Sequence, residues 1–114
     1  MRRRRSVITI VAFALTFAAA DLRAADRLTP RQQQGRELFH ANCILCHGER
    51  GQATVLLEKR LGKENSLLEE RTNLNAALIH HAVRHGINSM PWFRRSELTD
   101  ADVDAIAAYL TRTR

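Results

Sequence analysis

Hydrophobic positions along this chain fall into three patterns, and each predicts something different. The first is unbroken: Val7 to Ala20 carries no charge and follows four arginines, Arg2 to Arg5. The second is periodic. Val103, Ile106, Ala107 and Leu110 recur at i, i+3, i+4 and i+7, which puts them on one stripe of a helix. Thr99 is the predicted N-cap, with Asp100 and Asp102 at the positive end of the helix dipole and Arg112 and Arg114 at the negative end. Leu78, Ile79, Ala82 and Val83 form a similar face from Asn75 onward, and Gly86 is placed to end that helix. Leu28 to Asn42 predicts an earlier helix, with Thr29, Pro30 and Gln32 as a capping box and Leu38 and Phe39 as its apolar weight. Gly35 inside it costs about 1 kcal/mol relative to alanine, a cost that a closely passing backbone would explain.

The third pattern is irregular. Between Gly48 and Asn75, punctuated by Gly51 and Gly62, the sequence predicts a long loop carrying one or two helical turns, one of them starting at Ser66-Leu67-Leu68-Glu69. Ile87 to Glu97 is non-helical, and Pro91 pushes Met90 toward an extended conformation. No segment alternates as a strand would and no repeat is present, so the predicted fold class is all-α.

With 114 residues there is room for one small domain. The basic residues at 2–5, the apolar run and the small residues Ala18-Ala19-Ala20 predict a signal peptide over 1–24, cleaved between about 20 and 25, and a single domain over 25–114. The run of 14 residues is short of the roughly 20 that a membrane span needs; left uncleaved, the leader would instead be an anchor. The expected location is the periplasm, with no stable membrane span after cleavage. For a chain starting at Asp21, 14 Lys and Arg face 12 Asp and Glu, and the formal charge drops from +6 to about +2. No dense basic stripe remains to suggest nucleic-acid binding. A domain of this size buries a modest core, and two cysteines supply one disulfide at most. A large apolar cofactor would meet the same need.

The two cysteines stand in Cys43-Ile44-Leu45-Cys46-His47-Gly48. Cys43, Cys46 and His47, at i, i+3 and i+4, project from one face of a helical turn. Cys-x-x-Cys-His is the spacing that covalent attachment of c-type haem requires: each thiol adds to one vinyl group of a rigid ring, and the histidine that follows offers imidazole to the iron. A thioredoxin-like disulfide would follow a strand, and none precedes the motif. A zinc site would need two further ligands, for which His80, His81 and His85 are the candidates. A plain structural disulfide is the remaining alternative.

An iron held by His47 has a second axial position. Met90 is the one methionine beyond the leader, 43 residues after His47 and ahead of Pro91. It is the expected ligand, against the alternatives that it fills a core gap or that one of His80, His81 and His85 binds instead. His40 reads as an exposed residue near the end of the first helix. Were the position open, a haem sensor or peroxidase-like protein would result.

At this point the sequence resembles the small class I cytochromes c over Leu28 to Leu110. The likeness rests on Gly35 and Phe39, on Cys43-Ile44-Leu45-Cys46-His47, on Met90-Pro91, and on Ile106 and Tyr109. It implies that the first and last helices cross closely at Gly35, Phe39, Ile106 and Tyr109. It also implies one haem c with Cys43 and Cys46 as covalent attachments and His47 and Met90 as axial ligands. The implied function is one-electron transfer between redox partner proteins by a carrier that is not itself an enzyme. The segment Val83 to Phe93 is further similar to the cytochrome subunits of p-cresol-type flavocytochrome hydroxylases, which would make a flavin- or quinone-dependent dehydrogenase a partner, with a permanent electron-accepting subunit of such an enzyme as the alternative. The family usually has a proline after the motif whose carbonyl accepts the imidazole hydrogen bond. Ala53-Thr54-Val55-Leu56 has none, and a carbonyl at or near Thr54 is expected to replace it. Leu56, Leu57, Leu61, Leu78, Ile79, Val83 and Trp92 are the candidate pocket.

Overall fold

The computed structural model describes residues 27–113, so the expected leader and Arg114 lie outside the described residues. Five α-helices follow in order: α1 (Pro30–Asn42), α2 (Ile44–His47), α3 (Gln52–Leu61), α4 (Ala76–His85) and α5 (Asp100–Leu110), with a 3-10 turn over Lys63–Asn65. Among the described residues there is no strand, only an isolated bridge between Ile87 and Met90. The all-α expectation is borne out.

Caps set the helix starts. The Thr29 hydroxyl accepts from the Gln32 amide at 3.2 Å, and the Gln32 side chain accepts from the Thr29 amide at 2.9 Å. Thr99 and Asp102 form the same reciprocal pair on α5. Each pair satisfies amides that the first helical turn cannot satisfy internally. Asn75 caps α4 through its side-chain Oδ1, which accepts from the Leu78 amide, and Gly86 ends that helix at a φ of 71°, a conformation in which a side chain would be strained.

The core is the meeting of α1 with α5, to which α4 is added. Phe39, Ile79, Val83, Leu98, Val103, Ile106, Ala107, Tyr109 and Leu110 make one buried cluster. A Cβ on Gly35 would lie 1.9 Å from the Ala105 carbonyl oxygen and 2.9 Å from the Tyr109 Cβ. Only glycine lets the two backbones pass so closely, which accounts for its cost in the helix. The Phe39 and Tyr109 rings lie 6.2 Å apart at 53°, a tilted aromatic pair. The predicted contact of Gly35, Phe39, Ile106 and Tyr109 is present.

Two expectations are corrected between Gly48 and Asn75. Gln52–Leu61 is a continuous ten-residue helix rather than loop. Ser66 begins no helix: its hydroxyl donates to the Lys63 carbonyl at 2.7 Å and closes the 3-10 turn instead.

Candidate functional site

The motif occupies a turn set off from α1. The backbone breaks from helical geometry at Cys43 (φ −121°, ψ −27°), and α2 restarts at Ile44. Within it the His47 amide donates to the Cys43 carbonyl at 2.9 Å and the Cys46 amide to the same carbonyl at 3.1 Å. Cys43, Cys46 and His47 therefore share one closed turn, as their spacing predicts. Cys43 packs against the core, and its thiol is pushed up to about 11, first by burial and then by the neighbouring Cys46. Cys46 is exposed, and Leu45 between them is 87 % exposed.

Behind the turn, the chain reverses through Gly51. A Cβ there would lie 2.1 Å from the Cys46 carbonyl oxygen, so α3 can start directly against the motif only from a glycine. The sequence predicts Gly51 only as loop punctuation; its place four residues after His47 is the available signal.

His47 is partly buried, and burial moves its imidazole below its ordinary value. That favours the neutral ring, the form in which histidine binds a metal. Its Nδ1 is buried with no hydrogen-bond partner, so the carbonyl expected at or near Thr54 is not in place.

Met90 is half-buried against the core from the segment after α4. Its backbone is fixed on both sides. The Met90 amide donates to the Ile87 carbonyl at 2.9 Å across a turn in which Asn88 takes a φ of 53°. Beyond Pro91, the Phe93 amide donates to the Val83 carbonyl at 2.8 Å. Arg84, whose side chain is 12 % exposed, donates to the Phe93 carbonyl at 3.2 Å, the Leu98 carbonyl at 2.8 Å and the Asp100 carboxylate at 2.8 Å. Arg84 was not singled out in the sequence, because its partners lie 9 to 16 residues away.

The remaining histidines are engaged elsewhere. His80 pairs with Asp104 at 2.7 Å, tying α4 to α5. The rings of His81 and His85 lie 4.8 Å apart on one flank of α4. His40 is exposed as expected, yet its Nε2 reaches Glu69 at 2.9 Å. Among the described residues no group of three or more His, Cys, Asp or Glu could hold a metal ion, so the zinc alternative loses its second ligand pair.

Of the expected pocket residues, Ile79 and Val83 belong to the core, whereas Leu56, Leu61, Leu78 and Trp92 remain 39–56 % exposed. Val55 and Ile87 join them. So many large apolar side chains outside the core fit a large, flat apolar group. A pair of thiols and an imidazole on one turn, with a thioether on a separately braced segment, is a donor set suited to haem.

Comparison with known proteins agrees. Residues 30–110 match the family described as cytochrome C oxidase, cbb3-type, subunit III. The chain is 36 % identical over 78 residues to cytochrome c6 of Cyanidium caldarium, covering 68 % of this chain and 67 % of that one. It is 35 % identical over 96 residues to cytochrome c6 of Gracilaria tenuistipitata var. liui, covering 84 % and 75 %. To cytochrome c6 of Pyropia yezoensis it is 31 % identical over 101 residues, covering 89 % and 79 %. No solved structure gives a significant match. The chain belongs to the c-type cytochromes. Its cofactor is one covalently bound haem c, and it is an electron carrier rather than an enzyme. Among the described residues of this cytochrome, no helix is long and apolar enough to cross a membrane.

Proposed function

We propose that this cytochrome is an exported one-electron shuttle, in which Cys43 and Cys46 carry the haem and His47 and Met90 take its two axial positions. The observation that supports the reading best is the closed turn from Cys43 to His47, which presents both thiols and the imidazole at the required spacing. When bound, haem c supplies a one-electron ferric/ferrous couple. The protein's part is to hold both ligands still. His47 is fixed by its helical turn, and Met90 by the Ile87 and Val83 carbonyls and, through Arg84, by α5. Ligands that hardly move between oxidation states keep the reorganisation cost of electron transfer low. Apolar neighbours and a neutral thioether favour the reduced state. With His47 and Met90 both holding the iron, no position would be left for a substrate.

Partner proteins would meet an apolar centre with a polar rim. Trp92 suits that centre: it is 56 % exposed, two residues from Met90, with the Arg94 guanidinium 5.8 Å from its ring. A flavin- or quinone-dependent dehydrogenase as partner rests on the likeness of Val83 to Phe93 alone; the three relatives are all cytochromes c6. Export rests on the sequence of residues 1–24.

The test begins with a haem stain after denaturation and the mass of the mature protein. A covalent macrocycle on a chain starting between residues 21 and 26 is expected. Reduced-minus-oxidised spectra of wild type and Met90→Ala then examine the sixth ligand. The variant is expected to lose the low-spin six-coordinate band shape. An unchanged spectrum would mean that Met90 is not a ligand and would favour the five-coordinate alternative.

A further inference from the structure

Helix α4 carries an arrangement that electron transfer does not use. His40 and His80 each hold a carboxylate, Glu69 at 2.9 Å and Asp104 at 2.7 Å. His81 and His85 instead lie beside one another at i and i+4, both exposed, with ring centres 4.8 Å apart and planes at 35°. The sequence from Arg71 to Ser96 contains no Asp or Glu that could pair with them locally. The helix beneath the two rings is firmly held. Ile79 and Val83 are buried, His80 is bound to Asp104 and Arg84 to Asp100, and the Gly86 amide closes the last turn on the Ala82 carbonyl at 2.8 Å. Two exposed imidazoles thus project from a fixed backbone.

Their separation is the one that a shared metal ion requires. A metal–nitrogen bond of about 2.0–2.1 Å places an imidazole centre roughly 3.2 Å from the ion, so two rings on one ion stand about 4.5 Å apart at a right angle and about 5.2 Å at the tetrahedral angle. The observed 4.8 Å falls between these limits. Histidines at i and i+4 of one helix are also a recurrent chelating pair.

We propose that His81 and His85 chelate a transition-metal dication at the surface of α4, with copper(II) bound most tightly. Imidazole nitrogens suit copper, nickel and zinc, and among the divalent first-row ions copper(II) binds such donors best. Among the described residues no third His, Cys, Asp or Glu joins the pair, so water completes the coordination and the site stays open to exchange. The site is separate from the haem iron and does not depend on the axial ligation proposed above.

The experiment uses the oxidised holoprotein, with copper(II) as the probe. Equilibrium dialysis should give one tightly held ion per chain. His81→Asn and His85→Asn should each weaken that binding at least about tenfold, because the second imidazole binds intramolecularly once the first has bound. His80→Asn should bind copper as wild type does. Equal affinity of wild type and His85→Asn would overturn the proposal, as would loss of binding in His80→Asn alone. The haem absorption spectrum should be the same in His81→Asn, His85→Asn and wild type. A change of the axial-ligand bands in either variant would assign that histidine to the iron instead and end the proposal. Should a variant not mature, wild type alone decides. Its copper electron paramagnetic resonance spectrum is expected to show hyperfine coupling to two imidazole nitrogens, and coupling to one or none would sink the idea.

Discussion

The crossing of α1 with α5 and the segments that carry Cys43, His47 and Met90 are built on opposite plans. At the crossing, side chains from elements far apart in sequence enclose one another: Phe39, Val103, Ile106 and Tyr109 are at most 4 % exposed. Elsewhere, Leu56, Leu61, Leu78 and Trp92 stay accessible while hydrogen bonds hold the Met90 segment in place. One region is finished by its own side chains; the other leaves large apolar side chains accessible. The contrast teaches that stability in this cytochrome has two sources, and mutations can separate them.

The largest effect is expected from Cys43→Ala with Cys46→Ala, which removes both attachment points. The protein should lose the haem stain and most of its cooperative unfolding transition, because the ten buried hydrophobic residues among those described are a small core. A circular dichroism melt coinciding with that of the holoprotein would break the comparison. Next comes Gly35→Ala, aimed at the crossing alone. Forcing a methyl into the Ala105 carbonyl should cost about 3 kcal/mol, lowering the midpoint of thermal unfolding by at least about 12 °C, with haem still bound. Loss of haem at unchanged stability would show that the two regions are not separable.

Arg84→Met comes third, and it sharpens the division. Its guanidinium serves carbonyls at Phe93 and Leu98, so the Met90 segment should loosen and about 2 kcal/mol of stability be lost. The expected readout is weakening of the methionine-ligation spectrum at temperatures well below global unfolding. The smallest effect concerns Glu69, which accepts from Tyr109 and pairs with His40. Its burial would raise its carboxyl, but the Tyr109 and His40 hydrogen bonds, with help from His40 and Arg112 charges, hold it below the ordinary value of 4.5. A group depressed on folding stabilises the folded state above its unfolded value and loses that contribution as pH falls through the folded one. Acid titration should therefore destabilise wild type below about pH 4.5, and Glu69→Gln should flatten that portion of the curve. A variant curve parallel to wild type would remove Glu69 from the account.

The crossing was the more legible region. Capping boxes at Thr29 and Thr99 and the stripe from Val103 to Leu110 are local patterns, and local patterns can be read. The candidate ligands were legible for a different reason: the chemistry of the cofactor dictates the spacing of Cys43, Cys46 and His47. What escaped was α3. Its cap, Gly51, has no side chain, its apolar residues run consecutively as Val55-Leu56-Leu57, and only Thr54 is buried, so no helical stripe exists to be seen. Ser66 carries the hydroxyl of a helix cap, but that hydroxyl donates backward to the Lys63 carbonyl. The pairing of His80 with Asp104 spans 24 residues and leaves no local trace.

The seat of Gly35 against Ala105 has a consequence for how the chain is made. The first helix finds its principal partner about seventy residues later, so the contact is among the most non-local the chain can form. During synthesis, α1 has nothing to close upon until the final helix has left the ribosome. A polypeptide that stays open for so long keeps both thiols accessible.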